Sequence, residues 1–175
     1  MNIQKPLTYN QAIPIIACAI YCCDKQAYPL VERKPKKGRP APSPCARLGN
    51  KKHSCVLHKL RETDKNGKMT TTDKYKGIQA STRHPLGGGK VAIPDSQVGS
   101  RVIDCKFPCP DPIKFTKGNN TLAQRSPTNV TGAAMLTQKD LDYKNLPAQG
   151  NTAAVSRVDG MTPGEAAGKK GSCKC

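Results

Sequence analysis

The segment running from Pro94-Asp95 through Ser96-Gln97-Val98-Gly99-Ser100-Arg101-Val102-Ile103-Asp104-Cys105 to Lys106 constrains the fold of this chain more than any other. A two-residue loop that begins with Gly and is flanked by β-formers is the signal of a type II′ hairpin. With Gly99 and Ser100 as the turn, Val98 lies opposite Arg101, Gln97 opposite Val102, and Asp95 opposite Asp104. Directly opposed residues hold their Cβ atoms about 4.5–5.5 Å apart. Side chains alternate along a strand, so Lys106 shares a face with Asp104 and Asp95, while Val98, Ile103, Cys105 and Phe107 point the other way. The expectation is one packed face and one face carrying two carboxylates and an ammonium.

Two neighbouring carboxylates raise each other's proton affinity unless a cation sits between them. Oxygen-only ligation of this kind suits Mg²⁺ (or Mn²⁺), which is held by one or two carboxylates plus a substrate phosphate. Beside such a metal, a lysine orients or deprotonates the attacking water, or offsets charge building on a phosphate. The chemistry this arrangement suits is phosphodiester hydrolysis.

Pro94-Asp95 followed by Asp104-Cys105-Lys106 resembles the P-D…(D/E)-x-K signature of the restriction-endonuclease-like nucleases, and Val102 to Pro108 resembles the strand that carries it. More narrowly, Lys106-Phe107-Pro108-Cys109-Pro110 is similar to bacterial polymorphic-toxin nucleases, including those delivered by type VI secretion. The resemblance covers about residues 49–146. It implies an α/β (α+β) sandwich with a central mixed sheet flanked by helices, and Asp95 and Asp104 as metal ligands with Lys106 as the catalytic base or charge stabiliser. Nucleases of this class add an acid from an upstream helix, for which Glu62 is the best-placed residue, both as a ligand and as a catalytic group. The toxins carry a Gln/Lys/Tyr helix downstream, and Thr137 to Leu146 is its counterpart here, with Gln138 and Tyr143 lining the site. The resemblance also implies a cognate, acidic immunity protein and a secretion-system carrier, with delivery into a target cell's cytoplasm.

Charge supplies a substrate class. Lys+Arg number 29 against 12 Asp+Glu, a net +17, and such an excess attracts polyanions, of which nucleic acid is the commonest. Arg33, Lys34, Lys36, Lys37 and Arg39 form one basic run, Lys51-Lys52 a second, and Lys74, Lys76, Arg83 and Lys90 precede the hairpin. With no Trp and seven aromatics in all, a base-stacking platform is poorly supported. Backbone contacts to the phosphates of DNA, indifferent to sequence, fit better. Nothing in the chain separates DNA from RNA.

The chain has room for one domain of roughly 100 residues with irregular flanks. Residues 1–44 read as an apolar segment followed by a basic, Pro-rich extended linker at 33–44. Residues 45–147 read as the nuclease domain, and 148–175 as a Gly/Ala/Lys-rich tail that packs loosely. Within the domain the pattern predicts a helix near 53–62, the hairpin, a Pro-broken loop around Gly118-Asn119-Asn120, and a helix from about 138 to 146. That last helix has Thr137 as N-cap, Asp140 three residues later, and Pro147 as its stop. Gly87-Gly88-Gly89 is a turn, since no helix-opening Gly-Lys-Ser/Thr follows it.

Residues 12–23 are the most apolar run, too short for the ~20 residues a membrane span needs, so no stable membrane association is expected. A buried helix or strand, or a docking segment for a carrier, fits better than a lipoprotein signal ending at Cys18, because Asn10 and Pro14 shorten the apolar stretch. The nine cysteines are an odd number, which leaves one unpaired if the rest bridge. Three states stay open: disulfides formed outside a reducing cytosol, a zinc site drawn from Cys45, Cys55, His53, His58, Cys105 and Cys109, and buried thiols. Cys105, on the packing face, is most simply core. The two function classes are thus a secreted, Mg²⁺-dependent DNase toxin and a non-catalytic, cysteine-rich basic protein that binds nucleic acid or another polyanion.

Overall fold

A computed structural model describes residues 5–117 and 121–175. The loop expected at Gly118-Asn119-Asn120 lies outside the described residues. Helix α1 (Tyr9–Lys25) opens the described chain and strand β1 (Ala27–Tyr28) follows. Helix α2 (Pro44–Leu60) leads into β2 (Arg61–Thr63), β3 (Met69–Asp73), β4 (Gln79–Ala80), β5 (His84–Gly87) and β6 (Lys90–Ala92). The hairpin strands β7 (Ser96–Val98) and β8 (Arg101–Cys105) come next, then β9 (Leu122–Ala123), α3 (Gly132–Met135) and α4 (Gln138–Leu141). A 3₁₀ turn at Asp142–Asn145, β10 (Arg157–Met161) and α5 (Pro163–Lys169) complete the chain.

The architecture is α+β. Its centre is a four-stranded mixed sheet in the order β10-β8-β7-β4, with β10 parallel to β8 and the other pairs antiparallel. The hairpin register is the expected one: Val98 pairs with Arg101, Gln97 with Val102 and Ser96 with Ile103. Gly99 sits at φ +56° in the turn, a conformation that costs a Cβ-free residue little.

Both faces of the hairpin are packed, which corrects the expectation of a single packed face. Val98, Ile103 and Cys105 join Ile16, Ile20, Val56 and Met161 in the main core beneath α1 and α2, with Phe107 packed against it. On the other face Val102 joins Ala92, Tyr143, Leu146 and Val155 in a second, smaller core. The acidic residues therefore occupy one end of a covered face, where β8 runs out.

Helix α1 forms because its apolar residues recur at helical spacing: Ala12, Ile16, Ala19, Ile20 and Cys23 are all buried, a stripe that drives docking more than intrinsic propensity does. This is the buried-helix reading of residues 12–23, and no helix among the described residues is long and apolar enough to cross a membrane. Helix α2 is longer than the expected 53–62. Ser43 accepts the amide of Ala46 at 3.2 Å and Pro44 takes the first turn, a start signal that sets Leu48, Lys52, Val56 and Leu60 in one buried row.

The boundaries expected at 44/45 and 147/148 do not divide the molecule. The supposed loose tail supplies β10, whose five residues pair along the whole of β8, and α5, which packs on α1. Gly132 and Gly160 let α3 lie directly on β10: a Cβ on Gly132 would come 2.1 Å from the carbonyl carbon of Gly160. Four disulfides then tie distant parts together: Cys18–Cys173, Cys22–Cys175, Cys23–Cys55 and Cys45–Cys109. The zinc set drawn from Cys45, Cys55 and Cys109 is thereby replaced by two of these bridges. Cys105 is the one free thiol and is fully buried, as its place on the hairpin suggests.

Candidate active site

The site is built where β8 ends. Asp104 is its last residue but one, and Lys106 continues the strand line, its amide donating to the carbonyl of Met161 at 2.9 Å. Asp95 precedes β7, and its carboxylate accepts the Cys105 amide at 2.7 Å while its carbonyl accepts the amide of Ser81. These backbone bonds hold the two acids at the same end of the hairpin, as the register requires.

Lys106 Nζ pairs with Asp104 Oδ2 and donates to Asp140 Oδ2 at 2.7 Å. Asp140 is oriented by its own helix start, accepting both the amide and the hydroxyl of Thr137, at 2.7 and 2.9 Å. The capping box predicted from Thr137 and Asp140 is thus present, and its acid doubles as a second partner for Lys106. His53, from α2, brings Nδ1 to 3.2 Å of Asp95 Oδ2 and meets the ring of Phe107 edge-on, with centroids 5.1 Å apart. Tyr143 is buried in the 3₁₀ turn that follows α4 and shares the smaller core with Val102 of β8.

Electrostatics single out Asp104. Its carboxyl is pushed up to about 7, first by burial and then by the negative charge of Asp95, against the opposing pull of Lys106. Burial disfavours the Lys106 ammonium, but Asp104 and Asp140 outweigh it and raise its pKa. Burial likewise opposes ionisation of Asp140, and there the bonds from Lys106 and Thr137 prevail and lower it. His53 is raised: burial works against its charged form, and the bond to Asp95 overcomes that. Tyr143 is pushed up to about 12 by burial and by the charges of Asp104, Asp140 and Asp95, so its hydroxyl keeps its proton at neutral pH. Burial pushes the Cys105 thiol well above its ordinary range, which removes it as a nucleophile.

The structure therefore brings together Asp95, Asp104, Lys106 and Tyr143 of the expected residues. It does not bring Glu62 to them. Glu62 lies exposed in β2, not in the upstream helix, which ends at Leu60, and its backbone carbonyl accepts the Thr70 hydroxyl. Gln138 is also turned away: it is exposed, and its amide nitrogen donates to Asp142 one turn along. The residues that sequence reasoning did not place here are Asp140 and His53. Asp140 was visible as a capping acid and His53 as a ligand-type side chain; what brings them to the hairpin is tertiary packing.

The donor set fits a hard divalent cation in kind. Asp95 and Asp104 offer carboxylate oxygens, the hard donors such a cation takes, and the raised Asp104 reflects its burial first and the charge of Asp95 second, with Lys106 pulling the other way. The fit stops at two acids. Among the described residues the only trio of ligand-type atoms within 4.8 Å of one another is the sulfurs of Cys18, Cys22 and Cys173. Compared with known family models, with curated proteins and with solved structures, the chain matches none.

Proposed function

We propose that the chain is a metal-dependent endonuclease of the restriction-endonuclease-like class that hydrolyses DNA, acting as a secreted antibacterial toxin. The observation that carries this reading is the pairing of Asp95 with a buried Asp104 whose carboxyl is held near neutrality, with Lys106 on the same end of the hairpin. Asp95 and Asp104 would hold Mg²⁺ or Mn²⁺, which supplies a water of lowered pKa and neutralises charge on the scissile phosphate.

The chain's own residues do the rest. Asp140 and Asp104 fix the Lys106 ammonium, so that its charge is preorganised for a phosphate oxygen. Tyr143, protonated at neutral pH, offers a hydroxyl donor. His53 orients Asp95 and, with exposed Arg33, Lys34, Lys36, Lys37, Arg39, Lys74, Lys76, Arg83 and Lys90, supplies positive potential for a polyanion. Lys52, counted in the second basic run, is not part of that surface: it is 1% exposed and paired with Asp24. Four disulfides fit an oxidising stage in the protein's life, which supports secretion. An acidic immunity protein and a carrier follow from the toxin reading.

A second reading has one observation in its favour. Lys106 already neutralises two acids and Asp104 is 5% exposed, an arrangement that also serves as a buried polar joint in a non-catalytic, polyanion-binding protein. The two separate on purified full-length protein incubated with supercoiled plasmid, or with single-stranded RNA, in Mg²⁺ with and without EDTA. Cleavage of plasmid that EDTA abolishes supports the nuclease. Binding without cleavage of either substrate supports the second reading, and cleavage of RNA alone replaces DNA by RNA as substrate.

A further inference from the structure

We propose that Cys18, Cys22, Cys173 and Cys175 constitute a zinc site in the reduced protein, an alternative closed state of the same staple that the two disulfides form. Cys18 and Cys22 are one turn apart on α1, and their sulfurs lie 4.0 Å from each other. Beyond α5 the chain reverses at Gly171, φ +58°, and returns Cys173 and Cys175 to that helix face. The Cys173 sulfur lies within 4.8 Å of both helix sulfurs, and Cys175 is bonded to Cys22. A tetrahedral tetrathiolate with Zn–S of about 2.3 Å holds its sulfurs about 3.8 Å apart. The spacing across the helix is therefore already near what zinc needs for Cys18, Cys22 and Cys173, while Cys175, tethered beside Cys22 and outside that close trio, has to swing in as the fourth ligand once its bond to Cys22 opens.

Selectivity follows from the same geometry. Cys23–Cys55 and Cys45–Cys109 each stand alone, with no third sulfur in reach among the described residues. The surroundings suit the net double negative charge of zinc with four thiolates: Lys59 and Lys170 line the same cleft as Cys18 and Cys173, and Lys174 separates the last two cysteines. A cleft of about 510 Å³ lined by Cys18, Cys173, Lys59 and Lys170 gives an entry path.

The chemistry balances. Each disulfide takes two electrons and two protons, so two equivalents of a dithiol reductant, themselves oxidised to disulfides, leave four thiols. One Zn²⁺ then binds four thiolates and releases four protons. The consequence is that the end of the chain stays docked on α1 in a reducing cytosol as well as outside it.

The test uses the full-length chain reduced with a phosphine, desalted with and without Zn²⁺, and then alkylated with iodoacetamide and mapped by mass spectrometry. The expected result is one zinc retained per chain, with Cys18, Cys22, Cys173 and Cys175 protected while Cys23, Cys45, Cys55 and Cys109 are labelled. Co²⁺ in place of zinc gives the visible absorption of a tetrahedral four-sulfur site, shifted in Cys175→Ser to that of three sulfurs. No retained metal, equal labelling of all eight cysteines in the presence of zinc, or protection of the other four instead would overturn the proposal. These readouts do not depend on any nuclease activity.

Discussion

Asp104 carries a charge that its surroundings disfavour, and this makes it the most diagnostic single position. Its carboxyl ordinarily titrates at 3.8 and in the fold at about 7, chiefly through burial and then Asp95. The unfolded chain gives up this proton first, so ionisation costs the fold nothing below pH of about 4, more as pH climbs toward 7, and a constant amount above. Asp104→Asn is therefore expected to stabilise the metal-free protein at pH 8, with the gain vanishing toward pH of about 4. Thermal melts across that range measure it. The same substitution is expected to lower metal-dependent cleavage by about 10²–10³-fold, the exchange of stability for function that an active site shows. Tyr143 and Tyr28 give a second handle. Burial, reinforced by Asp104 for one and Asp24 for the other, pushes both to about 12 from an ordinary 10.0. An ultraviolet titration should show two tyrosines ionising near pH 12, and one in Tyr143→Phe. Because the unfolded chain ionises first, stability declines as pH rises from about 10 through 12.

At the scale of elements, α1, α2 and the segment after β9 meet on one buried ion pair. Lys52 Nζ donates to Asp24 at 2.7 Å and to the carbonyl of Gln124 at 2.6 Å, and Asp24 also accepts the amide and hydroxyl of Ser126. Lys52→Met leaves Asp24 buried without its cation and is expected to destabilise by about 3–5 kcal/mol, while adding Asp24→Leu restores much of the loss; urea melts of the single and double variants check it. Elements whose signals are local were legible in the sequence. The β7–β8 register follows from Gly99-Ser100, and the start of α4 from Thr137 and Asp140. Elements defined by distant partners were not. Arg157-Val158-Asp159-Gly160-Met161 has little apolar alternation, because β10 lies parallel to β8 and receives its register from that strand. The candidate site divides in the same way: Asp95, Asp104 and Lys106 share one hairpin, whereas Asp140 and His53 reach it only when α4 and α2 dock, and Glu62 was assigned to a helix that stops at Leu60.

At the scale of the molecule, the two ends of the chain form one body. Helix α1 packs against α5, β10 completes the sheet beside the acid-bearing strand, and two disulfides span 155 and 153 residues. Deleting residues 157–175 is thus expected to abolish cooperative unfolding and near-ultraviolet dichroism, and to make the remainder sensitive to limited proteolysis; a protected, cooperatively melting fragment would show that the tail is an appendage. The central claim is that the end of the β7–β8 hairpin cleaves phosphodiesters with a divalent metal. Its most direct test is the Mg²⁺-dependent nicking rate of supercoiled plasmid by wild type, Asp104→Asn and Lys106→Met, each shown by melting to be folded. The account predicts EDTA-sensitive nicking in the wild type and its loss in both variants; nicking that persists unchanged in the folded variants, or its absence from the wild type, would contradict it.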